Sequence, residues 1–389
     1  MRISDINKDV RFLGTVLQLF STPSSEAAIK KLALISSKVM ERFDISSLNG
    51  RKTFITRRDG SKMRVCIFNG KKSSNKTVGI LWLHGGGYAV GTPEMAKMTM
   101  AKHLIHNEDC VIISPDYTLS AFAPYPAALM DCVTALQWMK KNREKLGINF
   151  DSFVVGGESA GGGLAAATAM FARDKKVADI CLQIPLYPMI DDRDTETSAH
   201  NTAPVWNTAL NHAAWKMYLG DDYGTDRTVK YAAPARAEDL TGMPPAVSVV
   251  GTAEPFYAET LQYFEKLERC HIPAKLMKAD GCFHAFDMMA PNAPISKKAV
   301  RFVLEAYEEF ISDRLTGIDP WQTVRSSLGA ASSEEDFDRD QPILSGDGTD
   351  KSKAYTELQQ LRQEGVKYNI TDFDKEREAA LKDKYGAVE

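Results

Sequence analysis

Apolar positions in the first fifty residues recur at helical spacing. Leu13, Val16, Leu17 and Phe20 fall at i, i+3, i+4 and i+7, one face of a helix. Ser21-Thr22-Pro23 breaks and restarts the chain, with Glu26 set for a capping role. Ile29, Leu32, Val39, Met40 and Phe43 then give a second helix an apolar face, which is expected to pack on the core or to form a lid. From Arg51 the period changes. Thr53–Thr56 and Met63–Phe68, separated by Asp59-Gly60, read as a β-hairpin.

Buried-strand runs and helical runs alternate after that. Gly79–Leu83, Cys110–Ser114, Phe153–Val155, Ile180–Ile184, Ala246–Val250 and Ala274–Lys278 have the length and branched content of strands. Helices are expected over 93–106, 127–146, 257–270 and about 297–315, with an alanine-rich one after Gly161-Gly162-Gly163. This alternation predicts an α/β fold, a mostly parallel central sheet with helices on both faces. The polar, aromatic-dotted stretch 191–231 interrupts it. There Trp206, Trp215 and Tyr218 are expected either to pack in the core or to line a pocket.

The candidate chemistry sits where strands end. Gly157-Glu158-Ser159-Ala160-Gly161 fits G-x-S-x-G, the sharp strand-to-helix turn that lifts a serine above a sheet. It aims Ser159 at a helix start, where free N–H groups favour developing negative charge. His84-Gly85-Gly86-Gly87-Tyr88 follows another strand, and its glycines let backbone N–H groups approach a ligand closely. Glu254 and His284 follow two further strands. Sites in open α/β sheets form at the strands' carboxyl ends, so Ser159, Glu254 and His284 are expected to meet there.

Composition narrows the class. The 389 residues are 44% hydrophobic and 25% charged, ordinary for a soluble globular chain with a substantial core. A net charge of −3 gives no reason to expect nucleic acid or an anionic membrane as partner. The six cysteines (66, 110, 132, 181, 270 and 282) lack metal-ligand spacing and read as reduced thiols. The apolar run 10–20 is too short to span a membrane and reads poorly as a signal peptide, so a cytoplasmic location is expected.

With these motifs assembled, the chain resembles the hormone-sensitive-lipase-like branch of the α/β-hydrolases, the HGGG-bearing esterases. HGGGY at His84, GESAGG at Gly157 and GCFHAF at Gly281 fall in family order, and the match covers about residues 51–315. The resemblance implies a triad of Ser159, His284 and an acid. It also implies an oxyanion hole of Gly86, Gly87 and Ala160 N–H groups, with Gly85 shaping the loop and His84 a structural residue. Where the family usually reads Asp-Pro-Leu, this chain reads Glu254-Pro255-Phe256, so the acid is one methylene longer. Glu259 is the lesser candidate. Glu158 replaces a family aspartate and reads as structural, and Cys282 is a rival nucleophile that G-x-S-x-G disfavours.

The implied protein is a serine carboxylesterase for small, short-acyl esters that needs no metal or cofactor. The alternatives are a deacetylase of acetylated sugars, or a small-molecule receptor on the same fold, which would be expected to have lost a triad member. The expected layout is cap helices over 1–50, a hydrolase domain over 51–316 with a cap insertion at about 191–231, a disordered linker over 317–353, and a helical tail over 354–389. From Ser332 onward 15 acidic and 9 basic residues give −6, which leaves the body at +3. The expected partner is a small ester; a homodimer is left open, and the tail's partner is unassigned.

Overall fold

A computed structural model describes residues 3–18, 25–71 and 76–315. The Ser21–Pro23 break, the linker and the acidic tail lie outside the described residues. The described residues belong to one compact unit that takes in the N-terminal helices.

Eight strands form one sheet: β1 (Gly50–Thr56), β2 (Lys62–Asn69), β3 (Val78–Leu83), β4 (Cys110–Pro115), β5 (Phe153–Glu158), β6 (Ile180–Leu186), β7 (Ala246–Gly251) and β8 (Ala274–Ala279). Their order is β1-β2-β4-β3-β5-β6-β7-β8. The β1/β2 hairpin and the β2/β4 pair are antiparallel, and every later pair is parallel. β3 to β7 are buried throughout, which is why they read as continuous apolar runs and not as alternating ones.

The helices are α1 (Arg11–Gln18), α2 (Glu26–Glu41), α3 (Met100–Asn107), α4 (Ala127–Lys141), α5 (Arg143–Leu146), α6 (Ala160–Lys175), α7 (Thr208–Leu219), α8 (Tyr257–Arg269), α9 (Phe286–Met289) and α10 (Pro294–Leu315). α6 is buried on all sides over its first thirteen residues, Ala160–Ala172. Its glycines and alanines let its backbone lie close against the sheet. α10 inserts Val303, Tyr307 and Ile311 into the core, and burying an aliphatic side chain of this size contributes about 1.5–3 kcal/mol.

Three expectations differ from the structure. The helix expected over 93–106 starts as a 3-10 turn, Pro93–Met98, and α3 begins only after an extended Thr99 caps it. Buried Glu94 explains this, because it reaches back to Arg64 and Lys52 and pins the segment to the hairpin. The long helix expected over 127–146 breaks at Asn142, whose ψ of 14° leaves the helical range. On α2 the face expected to pack is only partly used: Ile29 is buried, whereas Leu32, Val39 and Phe43 face outward.

Candidate active site

Ser159 stands between β5 and α6 at φ 59° and ψ −122°, a conformation that costs a non-glycine residue about 1–3 kcal/mol. Its neighbours hold it there. The Ser159 N–H donates to Leu186 O at 3.0 Å, and its carbonyl accepts from Gly163 and Met189 at 2.9 and 3.0 Å. A Cβ on Gly161 would lie 2.0 Å from Leu83 O, and one on Gly157 would lie 2.3 Å from the same atom. Both glycines are therefore required by the close passage of the β3 end.

The Ser159 hydroxyl lies 2.9 Å from His284 Nε2. On the far side of the ring, Nδ1–H donates to Glu254 Oε2, and Glu254 Oε1 accepts the Gly251 N–H at 2.8 Å. All three side chains are buried. The acid and histidine loops are tied together: Ala253 N–H donates to Cys282 O at 3.1 Å and Gly281 N–H to Thr252 Oγ1 at 2.8 Å. The N-terminal segment reinforces this, with Asn7 donating from its backbone to Gly281 O and from Nδ2 to Asp280 O.

Gly86 and Gly87 adopt φ of 121° and 59° on the loop after β3. Among the described residues no acceptor takes the N–H of Gly86, Gly87 or Ala160. His84 is buried, stacks on Tyr117 with ring centres 4.1 Å apart, and lies 2.9 Å from Gly85 O through Nδ1. Burial pushes its pKa down to about 4, so it is neutral and braces the loop.

The remaining carboxyls separate cleanly. Glu259 accepts the N–H of Ile190 at 2.7 Å and of Asp191 at 3.3 Å; burial raises its pKa well above the usual range. Glu158 accepts Trp82 Nε1 at 3.0 Å and the Met100 N–H at 3.3 Å. Burial, with nearby Asp287, pushes it up to about 8. Burial, with Glu254 close by, raises the Asp287 carboxyl to about 6. The Cys282 thiol, raised by burial and then by Glu254, sits at about 12 and holds no thiolate at neutral pH. Among the described residues, no cluster of His, Cys, Asp and Glu is disposed to hold a metal ion.

Sequence reasoning missed two of the three rings around the imidazole, Tyr187 and Phe256, and offered Trp206 only as a core or pocket residue. Tyr187 and Phe256 meet His284 edge-on, with centres 5.1 and 5.0 Å away, and Trp206 lies at 6.2 Å. Tyr187 has a strained φ of 33° just beyond β6, a position with no local composition signal. Trp206, Trp215 and Tyr218 of the 191–231 stretch divide. Trp215 and Tyr218 are core residues, and Tyr218 stacks on Tyr88 at 4.0 Å. Trp206 is half-buried over the glycine loop, where a Cβ on Gly87 would come within 2.3 Å of its ring.

A nucleophile turn, a glycine loop with free N–H groups and a histidine–carboxylate pair at the carboxyl ends of the strands define the α/β-hydrolase class. The comparisons agree. The model of the alpha/beta hydrolase fold family matches residues 80–288. Esterase LipI of Mycobacterium tuberculosis is 30% identical over 222 residues, covering 57% of this chain and 69% of LipI. The ethyl acetate hydrolase of Pseudomonas putida is 25% identical over 307 residues, 77% of this chain and 95% of that protein. The solved structure of a bacterial heroin esterase superposes with a TM-score of 0.70 at 26% identity, covering 79% of this chain and 98% of that one. The chain belongs to the α/β-hydrolase fold family, in its hormone-sensitive-lipase-like esterase branch, and is a carboxylic ester hydrolase. Among the described residues no helix is long and apolar enough to cross a membrane.

Proposed function

We propose that this esterase cleaves small, short-acyl carboxylic esters through Ser159, His284 and Glu254. The observation that carries the reading is the unbroken line from Ser159 Oγ through His284 to Glu254 beside three unoccupied N–H groups. His284 Nε2 takes the Ser159 proton as Oγ attacks the acyl carbon, and Glu254 holds the tautomer and stabilises the imidazolium. The N–H groups of Gly86, Gly87 and Ala160 receive the oxyanion. The imidazolium then gives its proton to the departing alcohol. Water, deprotonated by the same nitrogen, releases the acid and restores Ser159.

Short acyl chains are favoured because Trp206 narrows the space beside Gly87 and His284. p-Nitrophenyl esters of increasing acyl length, assayed beside acetylated sugars, test this reading. Turnover should fall beyond butyrate, and Trp206→Ala should raise the hexanoate-to-acetate ratio of kcat/KM roughly tenfold. A preference for acetylated sugars over simple esters would favour the specialised deacetylase, and no turnover of any ester would favour a receptor.

A further inference from the structure

Helix α2 carries an arrangement of side chains that the hydrolase reading leaves unused. At about 100° per residue, its surface carries a buried face, an exposed apolar stripe and a basic strip, while Lys30, Glu41 and a 40% exposed Leu34 lie on the remaining side. Ile29 and Ala33 are buried against the body. Beside them, Leu32, Ile35 and Val39, continued by Phe43 just past the helix, are 44%, 51%, 55% and 46% exposed. Beyond that stripe come Lys31, Lys38 and Arg42, all exposed. Met98, 51% exposed, extends the apolar surface, and beside it Lys97 Nζ lies 6.0 Å over the Phe43 ring and donates to Asp44 O at 2.6 Å.

A helix that needs only to cover a core has no use for a second apolar stripe turned to water. Bordered by cations on its outer edge, such a stripe has the design of a helix lying in a lipid–water interface. Its apolar side chains sink among the acyl chains, and its basic side chains meet anionic headgroups. A second copy of this chain fits poorly. Antiparallel pairing of two α2 stripes would oppose Lys31 to the Arg42 of the other copy, with Glu41, beside that arginine, the one carboxylate on the helix near enough to relieve the repulsion, since Glu26 is paired with Lys30 at 2.6 Å.

We infer that α2, with Phe43 and Met98, is a docking surface for an anionic lipid interface, which brings the esterase to lipid-dissolved esters. The overall charge of −3 conceals this, because the basic strip is local. The inference does not depend on which residues form the triad.

The test is co-sedimentation of the full chain with phosphatidylcholine vesicles containing about 30% phosphatidylglycerol, at about 0.1 M salt. The chain should partition onto them, and binding should fall with salt and with pure phosphatidylcholine. Ile35→Ser/Val39→Ser should weaken partitioning at least tenfold, and Lys31→Gln/Arg42→Gln at least fivefold. Both variants should keep wild-type turnover of soluble p-nitrophenyl acetate, which verifies folding. If the apolar variant loses turnover, the basic variant carries the test alone. Absence of binding to the anionic vesicles overturns the inference. So does equal binding of wild type and variants, or a solution dimer that the apolar variant dissociates.

Discussion

The turn at Ser159 and the helix α2 use small and apolar residues in opposite ways. Around Ser159 the atoms are crowded: Gly157 and Gly161 leave no room for a methyl group, and a strained backbone is clamped by three hydrogen bonds. On α2 only Ile29 and Ala33 are buried, while larger apolar side chains meet water. Crowding at the first region fixes an oxygen relative to an imidazole. Looseness at the second leaves surface available for something else. The contrast predicts that substitutions near the turn act on chemistry by orders of magnitude, whereas those on the outer face of α2 leave chemistry alone.

The sharpest break of that contrast comes from the nucleophile and its base. Ser159→Ala and His284→Ala should each lower kcat by about 10⁴–10⁶ with the fold intact. The double variant should be scarcely worse than either single one, because the groups share a step. Losses that multiply in steady-state kinetics would show that they act separately.

The acid comes next. Glu254→Gln keeps a side chain of similar shape but removes the charge facing the imidazolium, so activity should fall by about 10³–10⁴ near neutral pH. Glu259→Gln should cost less than about tenfold, since Glu259 holds the 190–191 backbone and not His284. If Glu259→Gln were the crippled enzyme, Glu254 would lose its assigned role.

A third effect appears in stability against pH. Glu158 titrates at about 8 in the folded chain against 4.5 for a free glutamate. Between those values the folded state holds a proton that the unfolded state has lost, so stability falls as pH rises from about 4.5 through 8. Asp287 adds the same sign between 3.8 and about 6. Glu158→Gln should remove a few kcal/mol of that loss. Its Tm should therefore drop less than the wild type's between about pH 5 and 8, in scanning calorimetry across that range. Parallel curves for the two proteins would show that Glu158 is not the titrating group.

The smallest effects compare the two faces of α2. Ile29→Ala should cost about 2 kcal/mol and Val39→Ser no more than about 0.5 kcal/mol in urea unfolding. Equal costs would mean that the outer stripe packs against the body after all.

How far the sequence could be read follows the same division. The elbow, the glycine loop and the histidine loop were legible because the close approaches there demand particular residues in short runs. The parallel strands were legible because burial on both faces makes them continuously apolar. What escaped depends on contacts distant in sequence. Periodicity found the apolar residues of α2 but could not say which of them faced the body. The 3-10 start before α3 follows from Glu94 reaching Arg64, thirty residues away. The Tyr187 and Phe256 rings reach His284 from separate strand ends.

The central claim is that Ser159 Oγ, activated by His284, forms the covalent intermediate. Its most direct measurement is reaction of the full chain with diethyl p-nitrophenyl phosphate, followed by intact-mass and peptide analysis. The account predicts loss of activity in step with one diethylphosphoryl group per chain, carried on Ser159, and no adduct on Ser159→Ala. An adduct on another residue, or full turnover retained by Ser159→Ala, would contradict it.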